Sequence, residues 1–155
     1  QGYPMLRTLF FEFPEDETTW FIEDQYLFGS HLLVAPLFEA HSNSRKVYLP
    51  HGEWIDYQSG ERFGGGQWLE IPAGKIPVVL LVKAGSILAT SKVVQSTDQI
   101  DWNDLSYHVY PTQSHSAEGH LIDIRTGALC TLSYQNDELY LNGDSVAAAQ
   151  VTLYR

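Results

Sequence analysis

Basic residues are scarce in this 155-residue chain: 9 Lys and Arg stand against 19 Asp and Glu, a formal charge of −10. A surface so acidic repels phosphate backbones and anionic headgroups, so neither nucleic acid nor a membrane surface is an expected partner. Cysteine is scarcer still. The single Cys130 excludes a disulfide within the chain, and its alternating setting in "ALCTLSY" predicts a buried, inert thiol. No apolar run approaches the roughly 20 residues that cross a bilayer. The N-terminus shows no basic region followed by an apolar stretch, so no secretory leader is expected, and the sequence assigns no compartment.

Catalytic and cofactor signatures are missing too. The six histidines (His31, His41, His51, His108, His115 and His120) form no HExxH pair and no zinc-type cluster. His115 and His120 stand five apart in a loop, which is no ligand spacing. No GxSxG elbow, P-loop or GxGxxG fingerprint occurs, and Gly64, Gly65 and Gly66 lack the Lys-Ser/Thr and helix of a phosphate cradle. No metal and no cofactor are expected.

Apolar and aromatic residues are abundant, at 44% and 13%, enough for a packed core in one domain or two small ones. "MLRTLFFEF", from Met5 to its last residue Phe13, is apolar along most of its length and is stopped by Pro14. It reads as a strand buried on both faces. Thr18 or Thr19 then caps an expected short helix through "TWFIEDQYLFG", with Gly29 as its stop. Short strands follow: "HLLVAPLF", "RKVYLP", "EWIDY", "RF", "QWLEIP", "IPVVLLVKAG" and "SILATS". Turn signals separate them every few residues, the pattern of a β-sandwich. The polar stretch 91–104 reads as a linker. Beyond it lie "LSYHVYP", "GHLIDIR", "ALCTLSY", "ELYLNG" and "AAAQVTLYR", with "QND" as a hairpin turn.

Two residue sets could carry sugar chemistry. Glycoside hydrolysis takes two carboxylates flanking the scissile bond. Glu15, Asp16 and Glu17 crowd one turn and read as a solvated surface. Glu12 ends an apparent barrel strand, but a lone carboxylate cannot be both acid and nucleophile, so a supporting role is expected for it. The aromatics Trp54, Tyr57 and Trp68 could stack on sugar rings. Alternation puts Trp54 on one face of its strand and Ile55 and Tyr57 on the other, which favours core or inter-domain packing over ligand binding.

The order of these pieces resembles glycoside hydrolase family 31, the α-glucosidases and α-xylosidases. "GYPMLRTLFFEFPEDETTWFIEDQYLFGSHLLVAPLFE" is similar to the family's run into its C-terminal sandwich. "VYLPHGEWIDYQSGERFGGGQW" and "IPVVLLVKAGSIL" resemble the segments that follow it there. The likeness covers residues 2 to 89 almost without a gap. Thr8 and Ala89 stand where the family usually has proline, and Lys83 where it often has arginine. "LIDIRTG" replaces an acidic pair in the distal region.

The resemblance implies a mainly β chain, an antiparallel β-sandwich preceded by a remnant of a (β/α)8 barrel and followed by a small second β unit. Residues 1–30 would hold the last barrel strand and a short helix, 31–90 the proximal sandwich, 91–104 the linker, and 105–155 a partial distal β domain. It also implies the C-terminal part of a retaining α-glycosidase, cleaving through a covalent glycosyl-enzyme with two carboxyls about 5 Å apart. The family's catalytic aspartates lie on earlier barrel strands, and no W-x-D-M-N-E stretch occurs here, so no catalytic residue is assigned. The expected partners are the catalytic barrel and, for the parent enzyme, an α-linked oligosaccharide. Residues 5–13, deprived of a barrel, are expected to self-associate, join a sandwich edge or be covered by the following helix. The alternative is a carbohydrate-binding module using Trp54, Tyr57 or Trp68.

Overall fold

The computed structural model describes residues 2–123 and 126–154. Ile124 and Arg125, which end the expected strand "GHLIDIR", and Arg155, which ends "AAAQVTLYR", lie outside them. The chain forms two compact units, one running to Lys83 and the other beginning at Ala84.

The first unit is a sandwich. One sheet contains β1 (Leu6–Arg7), β2 (Tyr26–Phe28), β3 (Leu32–Pro36), β5 (Glu53–Asp56), β6 (Arg62–Gly64) and β8 (Val78–Lys83), in the order β1-β2-β3-β8-β5-β6. The other pairs β4 (Ser44–Leu49) with β7 (Gln67–Pro72). All these pairings are antiparallel. The core between the sheets takes Leu33, Ala35, Trp54, Val79 and Leu81 from the larger sheet and Val47, Leu49 and Ile71 from the smaller. Alternation supplies these side chains: in β7, Leu69 and Ile71 point inward while Trp68 and Glu70 remain exposed.

"MLRTLFFEF" is not one long strand. Leu6 and Arg7 alone are extended and add an edge strand beside Leu27 and Phe28, after which Leu9–Glu12 forms the one-turn helix α1. A short apolar run does not distinguish strand from helix by periodicity. Here only Leu9 is fully buried, packing with Ile22 and Tyr48, while half-buried Phe13 leans on the sandwich core. The helix expected across "TWFIEDQYLFG" is likewise shorter, a 3-10 turn at Glu17–Phe21 followed by β2. Asp16, not Thr18 or Thr19, caps it by accepting from the Thr18 N–H at 3.1 Å. Thr19 is buried and donates instead to the carbonyls of Asp16 and Phe13.

The triple glycine has a steric reason at its centre. A Cβ on Gly65 would stand 1.9 Å from the Pro50 carbonyl oxygen, because the hairpin folds back on the turn at residues 50–52. Two departures from the family wording also fit. Thr8 has φ −69° and ψ 156°, a backbone proline can adopt, and the Lys83 ammonium lies over the Phe13 ring at 5.4 Å, where an arginine would make a similar contact.

The second unit is a seven-stranded sheet of order β14-β13-β12-β11-β9-β10-β15. Its strands are β9 (Ser86–Thr90), β10 (Ser106–Tyr110), β11 (Ala117–Asp123), β12 (Ala128–Gln135), β13 (Glu138–Leu141), β14 (Asp144–Ser145) and β15 (Val151–Leu153). β9, which the sequence places in the sandwich, pairs with β10 along its whole length. Residues 91–104 therefore join two neighbouring strands of one sheet. The β12–β13 turn is the tight hairpin expected at "QND", with Asn136 and Asp137 both at positive φ. The sheet curls around a core that draws Ile87, Val109, Ala117, Leu132 and Leu139 from five strands. Cys130 is half-buried, not sealed in this core as expected, because β12 turns its Leu132 and Tyr134 most deeply inward.

Candidate functional site: an exposed aromatic face

Seven of the fourteen exposed large apolar side chains among the described residues fall between positions 3 and 28. They are Tyr3, Met5, Leu6, Phe11, Trp20, Phe21 and Phe28. Phe21 is 83% exposed, the most among the aromatics. Scattered surface hydrophobics are ordinary, but such a concentration is a mark of an interaction surface.

The segment is well fixed. Arg7 organises its start: the Nε–H donates to the Pro4 carbonyl at 2.7 Å, the guanidinium pairs with Glu12, and its plane approaches the rings of Tyr3 and Phe11 at 5.4 and 5.8 Å. Glu12 is thus a structural ion-pair partner. Leu6 and Phe28 face each other across β1 and β2. Phe10 and Trp20 stack with centroids 5.0 Å apart, and the Trp20 indole N–H donates to the Pro14 carbonyl.

Beneath this face two polar side chains tie the segment to β4. Buried Gln25 donates its amide N–H to the Tyr48 carbonyl at 2.7 Å and accepts the Tyr48 N–H at 3.0 Å. Its side chain serves β4 as a neighbouring strand would, on the edge that β7 does not occupy. The Tyr48 hydroxyl donates to Asp16 at 2.7 Å. Burial, and then the Asp16 carboxylate, push the Tyr48 phenol above its ordinary pKa. Nothing in the sequence singled out Gln25, which follows Glu23 and Asp24 directly.

The three aromatics proposed for sugar stacking are separated. Trp54 is fully buried, with its indole N–H bonded to the Pro50 carbonyl and its ring against Phe13, so it offers no surface. Tyr57 is half-buried just after β5. Trp68 is exposed on the other sheet, tilted against Tyr48 at 5.4 Å with the Lys46 ammonium 5.5 Å from its ring. Among the described residues no group of three or more His, Cys, Asp or Glu could hold a metal ion.

Residues 2–88 match the family profile described as the glycosyl hydrolase family 31 C-terminal domain. Alpha-glucosidase 2 of Bacillus thermoamyloliquefaciens is 36% identical over 122 residues, covering 79% of this chain and 15% of that protein. The alpha-xylosidase of Saccharolobus solfataricus is 30% identical over 112 residues, covering 71% and 15%. The solved structure of the Flavobacterium johnsoniae GH31 dextranase with isomaltotriose superposes with a TM-score of 0.71 at 28% identity, covering 95% of this chain and 21% of that one. The chain therefore spans about one seventh of the length of these two curated relatives.

Proposed function

The chain belongs to glycoside hydrolase family 31 and carries that family's C-terminal domain, and from this premise we propose that it is a non-catalytic bracing portion of a retaining α-glycosidase of α-glucosidase or α-xylosidase type. The observation that carries the proposal is the aromatic face at positions 3–28. In the parent enzyme that face packs against the catalytic barrel, which holds both catalytic aspartates and the sugar pocket. Covering the remaining surface of seven large apolar side chains, each already partly buried, supplies on the order of 5–10 kcal/mol before association costs are subtracted. That is enough to hold a covalently linked neighbour in register. The polar ties beneath the face keep its aromatics in a fixed relief.

The test is turnover of aryl α-glucoside and aryl α-xyloside by the 155-residue chain. The proposal expects none above the buffer rate, and genuine turnover that survives further purification overturns it. A binding-module reading survives only around Trp68, the most exposed member of the aromatic trio at 44%. A saturable maltose response abolished by Trp68→Ala would favour that reading instead.

A further inference from the structure

The polar stretch between β9 and β10 has no part in the function proposed above. Residues 91–99 are all exposed, the longest such run among the described residues. Val93 is fully open to solvent, Val94 is exposed beside it, and residues 91–94 have no regular structure. Among the described residues, no backbone–backbone hydrogen bond involves residues 91–95. The ties of the stretch are an exposed Lys92–Asp104 ion pair and the Ser96 hydroxyl, which accepts the Asp98 N–H at the start of a 3-10 turn, Thr97–Gln99. An exposed ion pair contributes little. An endopeptidase draws several residues into its cleft in extended form, so it cuts most readily where backbone is exposed and has no hydrogen bonds to surrender. Residues 91–95 meet both conditions with the sheet intact.

The strand just before this stretch is fixed on both sides. β9 lies between β11 and β10, antiparallel to β10 from Ser86 opposite Tyr110 to Thr90 opposite Ser106, and parallel to β11. The Gly85 N–H donates to the Tyr110 carbonyl at 2.7 Å, and the Gly85 carbonyl accepts the Glu118 N–H at 2.9 Å. Ser86 and Ile87 are buried, and Ile87 belongs to the core of the second unit. β11 comes so close that a Cβ on Gly119 would stand 2.8 Å from the Ile87 carbonyl oxygen. A chain break beyond Thr90 removes none of these contacts.

We propose that residues 92–94 are a site of limited proteolysis, cut on the amino side of Val93 or Val94 by an endopeptidase with an aliphatic pocket for the residue after the scissile bond, and that the two pieces stay assembled through β9. Hydrolysis breaks one amide C–N bond and consumes one water, leaving a carboxylate on one new end and an ammonium on the other, both in solvent. The piece that ends beyond β9 then serves the other as an inserted strand, with main-chain bonds to β10 and β11 and Ile87 as its anchor. The site is separate from the barrel-bracing face and does not depend on it.

The experiment treats the full chain with a trace of thermolysin, which cuts ahead of aliphatic residues, and reads the products by intact mass. The first cut that leaves two large pieces should fall before Val93 or Val94. Its rate should change less than about 2-fold in urea below the unfolding transition, because the native chain is the substrate. The pieces should co-elute on gel filtration in buffer and separate in denaturant. Val93→Asp/Val94→Asp, which alters only exposed side chains, should keep the melting temperature and slow this cut at least roughly 10-fold. Gly119→Ala wedges the seam between β9 and β11. The tether holds β9 in place while the chain is whole, but once cut, this variant's pieces should dissociate at least roughly 10-fold more readily than those of the wild type. A first large cut elsewhere overturns the proposal, as does a rate that climbs steeply with urea or is unchanged in the double aspartate variant. Pieces that part in plain buffer, or that hold together equally well with Gly119→Ala, overturn the role of β9.

Discussion

Replacing Gln25 with alanine should cost far more than its one amide suggests. The side chain makes two hydrogen bonds to the backbone of Tyr48, at 2.7 and 3.0 Å, and is 3% exposed. Each bond contributes about 1 kcal/mol net, and removing the amide leaves a buried N–H and a buried C=O unpaired, each costing about 1–3 kcal/mol unless water reaches it. Partial water entry brings the expected loss to about 2–4 kcal/mol. For a unit of this size that lowers the melting temperature by roughly 10–25 °C. The assay is thermal unfolding followed by circular dichroism, on Gln25→Ala, Gln25→Leu and Gln25→Glu. Leucine restores bulk but no bonds, so it should recover little; glutamate keeps an acceptor for the Tyr48 N–H but sets a charge against its carbonyl, and should be no better. A loss below about 0.5 kcal/mol for alanine, or recovery by leucine, would refute the view that the amide acts as a surrogate strand.

Other outcomes follow from the same structure. Gly65→Ala drives a Cβ to 1.9 Å from the Pro50 oxygen and should destabilise the sandwich by about 1–3 kcal/mol or more, measurable by urea unfolding, whereas Gly127→Ala meets no atom within 4 Å and carries only the strain of its φ of +70°. The second unit should lose stability as pH falls. Burial lowers the His108 pKa below its ordinary 6.5, so the unfolded chain binds the extra proton first. The loss begins near the unfolded value and is complete once pH passes below the folded one; unfolding between pH 8 and 5 should show this slope, and His108→Gln should flatten it.

Much of the fold was legible because its strands are short, alternate cleanly and end in turn residues. β5, β7 and β8 lie within the segments the sequence marked for them, and β4 begins one residue ahead of its own. The errors cluster where apolar runs carry no period. In "MLRTLFFEF" Leu9 is buried while Leu6 and Phe11 face solvent, so the run's hydrophobicity does not mark an interior strand. β9 was misplaced because a strand's partner is a long-range fact: Ile87 and Leu88 could satisfy either sheet, and pairing with Val109 and His108 decided it. The aromatic trio is divided for a related reason. Alternation gave each strand two faces but could not say which one meets the core: β5 turns Trp54 inward, while β7 turns Leu69 and Ile71 inward and leaves Trp68 outside.

The central claim is that the face at positions 3–28 docks on a catalytic barrel supplied by the rest of the enzyme. Its most direct test is complementation: the portion encoded ahead of this chain is expressed separately, mixed with it, and assayed on aryl α-glucoside and α-xyloside. The account predicts that the wild-type chain raises turnover and that Trp20→Ser/Phe21→Ser, folded by circular dichroism, does so at least 10-fold less well, a difference of about 1.4 kcal/mol in docking. Equal complementation by both chains, or an upstream portion fully active and stable without either, would contradict it.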